Sequence, residues 1–297
     1  MTRTTRCDMK LFTAVAAIFC AGAAVLAADS ADVKEFTFAN DVKVYAIRDK
    51  ATTMRASLFS DYTKSSTLKK EDLKKEYPAS VNCFVMRYNF KTYLIDAGNF
   101  DPKGSLVTKL ATINIRPKGI DCVLLTHLHP DHIGGLVDKD GAAVFPNAKV
   151  YLTYDEWKHW TQIAKQKPKD ESTKILRQFL EAYNGRIQTL NYGEPVVSGL
   201  YAVKAVGHTP GHCYYRQGKL RFVGDVVHAV DLQIPHPEYC ASFDADQKQA
   251  YQTRVSFLET MSKEGNIVLG AHIPFPGIGY VMKEEKSYKF DPYEPKK

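Results

Sequence analysis

Between Thr126 and Gly135 the chain reads Thr-His-Leu-His-Pro-Asp-His-Ile-Gly-Gly, which crowds His127, His129, Asp131 and His132 into six residues. Three imidazoles and a carboxylate cannot share a buried space without hydrogen bonds, charge or a metal ion to offset their lost hydration. Alternate side chains of an extended segment point the same way, so His127, His129 and Asp131 are expected on one face as the chain leaves an apolar strand. Pro130 holds His129 extended and suits the first turn of a short helix, onto which His132 turns. Gly134 and Gly135 then take away side chains where backbone must pass close to a neighbour.

Three later segments offer matching donors. Gly207-His208-Thr209-Pro210-Gly211-His212 is a tight turn that presents His208, Val223-Gly224-Asp225 ends in a carboxylate, and Gly270-Ala271-His272 ends in an imidazole. Each follows an apolar strand-like run, where loops build a site. A lone strand-end Asp or His is usually a turn or surface residue; the four segments together describe a metal centre. Imidazole and carboxylate suit Zn²⁺, and also Mn, Fe or Co.

The element order points to an α/β chain. Strand-like runs cover Val42 to Ile47, Ala56 to Ser60, Val81 to Tyr88 and Lys91 to Ile95, then Ile120 to Thr126 and Lys149 to Thr153. Later ones cover Leu200 to Val206, Cys213 to Arg216, Leu220 to Val223 and Asn266 to Leu269. Helical spacing marks Leu106 to Ile113, Asp155 to Ile163, Glu171 to Tyr183 and Asp246 to Met261, the last with Tyr251, Val255, Phe257, Leu258 and Met261 toward one side. The charged stretch Leu68 to Glu76 reads as a solvated helix face. Strands in groups with helices between them predict two face-packed sheets with helices outside, an αββα sandwich in one domain from about residue 35 to about residue 290.

The first residues stand apart. Arg3, Arg6 and Lys10 precede an Ala-rich apolar run to Leu26, with Val25-Leu26-Ala27 as a cleavage site, so Met1 to Ala27 reads as a signal peptide and the mature chain as periplasmic or secreted. Met9 is an equally good start. Cleavage removes those three cations and Asp8 and takes the formal charge from +7 to +5. The remaining charge is dispersed, with no basic stripe carrying interleaved aromatics, so no nucleic-acid partner is expected, nor a stable membrane span after processing. Cys83, Cys122, Cys213 and Cys240 have no CxxC spacing and read as free buried thiols, though export would permit a disulfide.

The ordered set THLHPDHIGG, GHTPGH, VGD and GAH resembles the metallo-β-lactamase superfamily over most of the mature chain. The resemblance implies an αββα sandwich with two divalent metal ions at one edge of the sheets. His127, His129 and His208 would hold one ion, Asp131, His132 and His272 the other, and Asp225 would bridge both. His212 does not match a ligand position and would play a supporting role. Such a pair of ions generates hydroxide near neutral pH and polarises the scissile carbonyl or phosphoryl oxygen, while Asp131 could accept a proton. Glu is usual at the His129 position in diiron relatives, and true β-lactamases of the superfamily lack the bridging aspartate, so both activities are disfavoured.

The segments Val223 to His228 and His272 to Tyr280 look like the methyl parathion hydrolase branch, which is close to acyl-homoserine lactonases. This implies a small-molecule substrate, a lactone or carboxylic ester first and a phosphotriester second; a non-catalytic metal-binding protein on the same fold is the rival reading, and a homodimer is left open. Lactonases tend to carry a Tyr three residues after the bridging aspartate. Here His228 stands there, either as a hydrogen-bond donor to the substrate oxygen or as a packing residue. Trp157 and Trp160 read as core aromatics or a pocket wall, Phe275 as a pocket wall beside His272, and His159 and His236 as surface residues.

Overall fold

The computed structural model describes residues 31–64, 69 and 71–295, so the signal expected at Met1 to Ala27 lies outside the described residues. One seven-stranded sheet runs in the spatial order Val33–Phe38, Val42–Arg55, Glu76–Tyr88, Lys91–Ile95, Cys122–Leu124, Lys149–Thr153, Ile187–Leu190. The other runs Tyr288–Pro292, Ile278–Lys283, Ile267–Leu269, Leu220–Phe222, Cys213–Gln217, Leu200–Lys204, Pro195–Val197.

Strand alternation builds the layers. Phe84, Met86, Tyr93, Ile95 and Leu124 face the second sheet and pack with Leu200, Tyr215, Phe222 and Leu269. Their neighbours Val85, Leu94 and Val123 point the other way, against Leu106 and Leu110 of the helix Ser105–Thr112 and Leu176 and Phe179 of the helix Lys174–Ala182. Both faces of these strands are covered, which is why the sequence from Val81 is almost continuously apolar. The long helix Gln247–Glu264 covers the second sheet through Phe257, Leu258 and Met261. Each large apolar side chain so buried contributes roughly 1.5–3 kcal/mol by leaving water. The result is the αββα sandwich expected from the sequence.

Strand direction places the site. Lys91–Ile95, Cys122–Leu124, Lys149–Thr153 and Ile187–Leu190 are parallel neighbours, and so are Leu220–Phe222 and Ile267–Leu269. Their C-terminal ends therefore share one edge, carrying the Thr126 segment on one sheet and Asp225 and His272 on the other.

Some expectations changed. Among the described residues of the charged stretch Leu68 to Glu76, where a helix is expected from the sequence, only Asp72–Lys74 make one 3-10 turn, and Glu76 opens a strand paired with Val42–Arg55. Tertiary pairing overrides the local preference there. The run Ala56 to Ser60 splits into a 3-10 turn, Ala56–Leu58, and a strand, Phe59–Asp61, which pairs with Tyr239–Ala241 as a separate two-stranded sheet. The strands Val33–Phe38, Ile187–Leu190, Pro195–Val197, Ile278–Lys283 and Tyr288–Pro292 are not marked by the sequence pattern, being short or at sheet edges with mixed polarity. The four cysteines among the described residues are buried and free. No helix among the described residues is long and apolar enough to cross a membrane.

Candidate metal centre

The chain leaves Cys122–Leu124 still extended, and Asp96 anchors it. One oxygen of Asp96 accepts the Thr126 N–H at 2.9 Å, and the other accepts the Thr126 hydroxyl at 2.9 Å. His129 is extended (φ −68°, ψ 154°) and Pro130 opens the turn Pro130–Ile133, as the residue before a proline requires. A Cβ on Gly134 would stand 2.0 Å from the Phe100 nitrogen, so only glycine lets the two backbones pass.

Hydrogen bonds outside the site fix the histidine rings. His127 Nδ1 faces the Thr126 hydroxyl oxygen at 3.1 Å, His132 Nδ1 faces Asp96 at 2.9 Å, His208 Nδ1 faces Asp244 at 2.9 Å, and His272 Nδ1 faces the Ser80 carbonyl at 3.1 Å. Each partner can accept, so each Nδ1 carries a proton, and in the neutral ring each Nε2 turns a lone pair inward. The lone pairs converge. His129 Nδ1 lies 3.0 Å from His127 Nε2 and 2.9 Å from His208 Nε2, and an Asp225 oxygen lies 3.2 Å from His208 Nε2. Ligands around a tetrahedral Zn²⁺ are about 3.3 Å apart.

A second group adjoins the first. His272 Nε2 is 3.4 Å from Asp131 and 3.2 Å from Asp225, and His132 Nε2 is 3.0 Å from the other Asp225 oxygen. His132 Nε2 and Asp225 Oδ1 are buried and neither has a hydrogen-bond partner among the described residues. Acceptors aimed at acceptors in a dry space call for cations between them. Three groups of candidate ligands lie within 4.8 Å of one another among the described residues: His127, His129, His208 with Asp225; Asp131, His132 with His272; and Asp225, His228 with His272. The structure thus brings together all seven residues singled out as ligands, with Asp225 between the two sets, and the chemistry of the set fits divalent metal ions.

His212 faces elsewhere. Its Nδ1 donates to the Ala205 carbonyl at 3.0 Å, and its Nε2 accepts the Asp225 N–H at 3.0 Å. His228 is inside the site: its Nε2 is 3.0 Å from Asp225, and its ring stacks on His272 at 5.4 Å. His159 and His236 are half-buried and join no cluster.

Protons compete for these atoms. Burial disfavours charge on His208, yet Asp225 and Asp244 raise it to about 9. His132 and His272 are raised in the same way, against burial, chiefly by Asp225. Burial lowers His129 to about 3 and His212 to about 3, in each case with His208 adding to the effect. For Asp131, burial pushes upward but His132 and His272 hold it below the ordinary carboxylate value.

Sequence reasoning missed the acids behind the ligands. Asp244 and Asp96 are described above; Glu156 is wholly buried and accepts four hydrogen bonds. One oxygen takes the Leu128 N–H at 2.9 Å and the Trp160 indole N–H at 2.6 Å; the other takes the Thr209 hydroxyl at 2.7 Å and the Gly211 N–H at 3.0 Å. It ties the His127–His129 segment to the His208 turn. Burial still pushes its carboxyl above the ordinary value. Thr153 followed by Glu156 reads as a capping box, but here the glutamate turns inward instead. For Asp96 the local signal is the strand-end Asp-Ala-Gly, with Asp96 at φ +52°.

The aromatic neighbours also differ from expectation. Phe275 turns to Arg48 and Lys34, with cation-to-ring distances of 5.0 and 6.0 Å. Phe243, 41% exposed, meets His228 and His208 edge-on at 5.0 and 5.8 Å. Trp157 and Trp160 both pack on the outer core, in line with the core reading, and Trp160 also meets His129 at 5.4 Å.

Residues 77–272 match the family described as the Metallo-beta-lactamase superfamily. Among solved structures, the hydrolase AbOPH of the beta lactamase superfamily is 32% identical, with a TM-score of 0.76 over 90% of this chain and 99% of its own. AidC, a dizinc quorum-quenching lactonase bound to a homoserine product, superposes equally well (TM-score 0.76, 90% of this chain and 99% of AidC) at 23% identity. Exodeoxyribonuclease WalJ of Streptococcus pneumoniae is 34% identical over 84 residues, 27% of this chain and 30% of WalJ. YobT of Bacillus subtilis, an uncharacterised protein, is 28% identical over 134 residues, 44% of this chain and 54% of YobT. The chain thus spans under a third of WalJ and about half of YobT.

Proposed function

The chain belongs to the metallo-beta-lactamase superfamily and is a metallo-hydrolase, and on that premise we propose that it uses two divalent ions, Zn²⁺ first, to open a lactone or cleave a carboxylic ester. The observation that carries this reading is the convergence of three histidine Nε2 atoms on the two oxygens of Asp225. His127, His129 and His208 hold one ion, Asp131, His132 and His272 the other, and Asp225 bridges. When bound, the ions supply a nucleophile at neutral pH and polarise the acyl oxygen.

The chain's own residues do the rest. Asp131 has a side chain 32% exposed, the most open of the carboxylates at the site, and accepts the proton released on attack. His228 sets its Nε2 3.0 Å from the Asp225 carboxylate, so as a donor it holds that carboxylate, and it reaches the oxygen that gains charge only by exchanging this bond. Phe243 and Trp160 flank the rings of His208 and His129 and shield them from water. AidC's lactonase activity is consistent with this ranking, although at 23% identity the likeness establishes the fold alone. A phosphotriester is the second substrate class, since it needs the same nucleophile and electrophile. The export signal makes the site of action periplasmic or secreted, which N-terminal sequencing of the mature protein tests.

The deciding experiment is a substrate panel of γ-lactones, acyl-homoserine lactones, aryl esters, a phosphotriester and a β-lactam, with and without chelator. Chelator-sensitive turnover of lactones or esters above the rest is expected. A phosphotriester turned over faster than every ester would reverse the ranking.

A further inference from the structure

The helix Gln247–Glu264 buries Ala250, Arg254, Phe257, Leu258 and Met261 along one stripe, so an arginine occupies a core position among apolar side chains. Arg254 is 1% exposed. A guanidinium is costly to bury unless its donors and its charge are met. They are met by one stretch of chain. Nε donates to the Val226 carbonyl at 2.9 Å, and one terminal nitrogen donates to the Pro237 and Tyr239 carbonyls at 2.8 and 2.9 Å. The other terminal nitrogen is 3.7 Å from Asp244. That stretch starts one residue after Asp225 and ends at the carboxylate whose other oxygen receives the His208 Nδ1–H at 2.9 Å. Gln233 braces it from inside, donating to the Tyr239 carbonyl at 2.9 Å and accepting the His228 N–H at 2.7 Å.

We infer that Arg254 is the positioning residue of the metal centre: it pins the 226–244 segment at four points so that Asp244 orients His208 and Asp225 stays between the two ligand sets. The inference rests on the metal-centre reading above. A leucine or methionine would fill the stripe as well, so packing does not explain the arginine. Loss of the guanidinium leaves the Val226 and Pro237 carbonyls without its donors and the Tyr239 carbonyl with Gln233, and Asp244, still held by the Ala241 N–H and His208, loses the buried cation behind it, so the aim of His208 loosens.

The test measures stepwise Zn²⁺ dissociation constants by competition with a chromophoric chelator, the visible spectrum of the Co²⁺-loaded protein, and the thermal midpoint of the metal-free protein. The variants are Arg254→Met, Arg254→Lys, Asp244→Asn, the double Arg254→Met with Asp244→Asn, and Leu258→Ala as a packing control on the same stripe. Arg254→Met is expected to weaken metal binding by about 10- to 100-fold and to alter the Co²⁺ spectrum. Arg254→Lys falls between it and wild type and serves if the Met variant does not fold. The double variant loses less than the product of the two singles, because both act on His208. Leu258→Ala lowers the thermal midpoint yet keeps metal affinity. Unchanged affinity in Arg254→Met or Lys, fully multiplicative losses, or equal metal loss in Leu258→Ala would overturn the inference. A wild-type protein that fails to bind two ions would instead overturn the metal-centre reading itself.

Discussion

The Nε2 of His212 accepts the backbone N–H of Asp225 at 3.0 Å, so the second histidine of Gly-His-Thr-Pro-Gly-His holds Asp225 by its main chain. The other nitrogen is spent on the Ala205 carbonyl. His208→Ala is therefore expected to abolish binding of one ion, whereas His212→Ala keeps both ions and loses about 10-fold in affinity or rate, the size of effect seen when a ligand's support is removed. Metal analysis of the two purified variants reads this directly. The reverse order would mean that the ligand in this turn has been misassigned.

Asp225 meets both ligand sets, with one oxygen 3.0 Å from His132 Nε2 and the other 3.2 Å from both His208 and His272. Asp225→Ala should weaken both ions and lower hydrolysis by more than about 100-fold, beyond the usual cost of losing a residue that only supports a ligand. Retention of two ions with normal turnover would show that Asp225 does not bridge.

The candidate ligands of the first motif were legible because an extended strand exit and a proline-opened turn act locally, although Asp131 falls in that turn beside His132 and not on the His127–His129 face expected from alternation. Their supports were not, since each lies far along the chain. Asp96 is 30 positions from Thr126, Asp244 is 36 from His208, and Glu156 is 28 from Leu128. Buried acids of this kind look like turn or helix-start residues in a sequence. The same reasoning separates the fold into what could and could not be read. Val81 to Tyr88 shows itself through its apolar run, while Tyr239–Ala241, unmarked by any pattern, is a strand only because Phe59–Asp61 comes to meet it.

Glu156 joins two ligand-bearing segments through four donors, two on each oxygen. Glu156→Gln preserves shape but places an amide N–H₂ against two of those donors. We expect a loss of about 3 kcal/mol in stability, as for a buried charged acceptor removed from its partners. Chemical denaturation of the metal-free protein measures it. A loss under about 0.5 kcal/mol, the range of ordinary surface changes, would show that the clamp carries no load.

Metal binding should couple to both stability and pH. Ions that bind only the folded chain stabilise it by about 4 kcal/mol when present at 1,000 times their dissociation constant, which for a chain of this size raises the thermal midpoint by roughly 10 °C. Chelator should remove that increment, and a midpoint indifferent to chelator would sink the two-ion reading. The pH dependence follows from His208. Burial opposes its charge, but Asp225 and Asp244 raise it from 6.5 to about 9, so at neutral pH a proton occupies the nitrogen that a metal ion needs. Binding must displace that proton, so affinity rises with pH across this interval and protons are released to the buffer as metal binds. Calorimetry in buffers of different ionisation enthalpy counts them. If Asp244→Asn leaves the proton count unchanged, His208 is not the group that releases them.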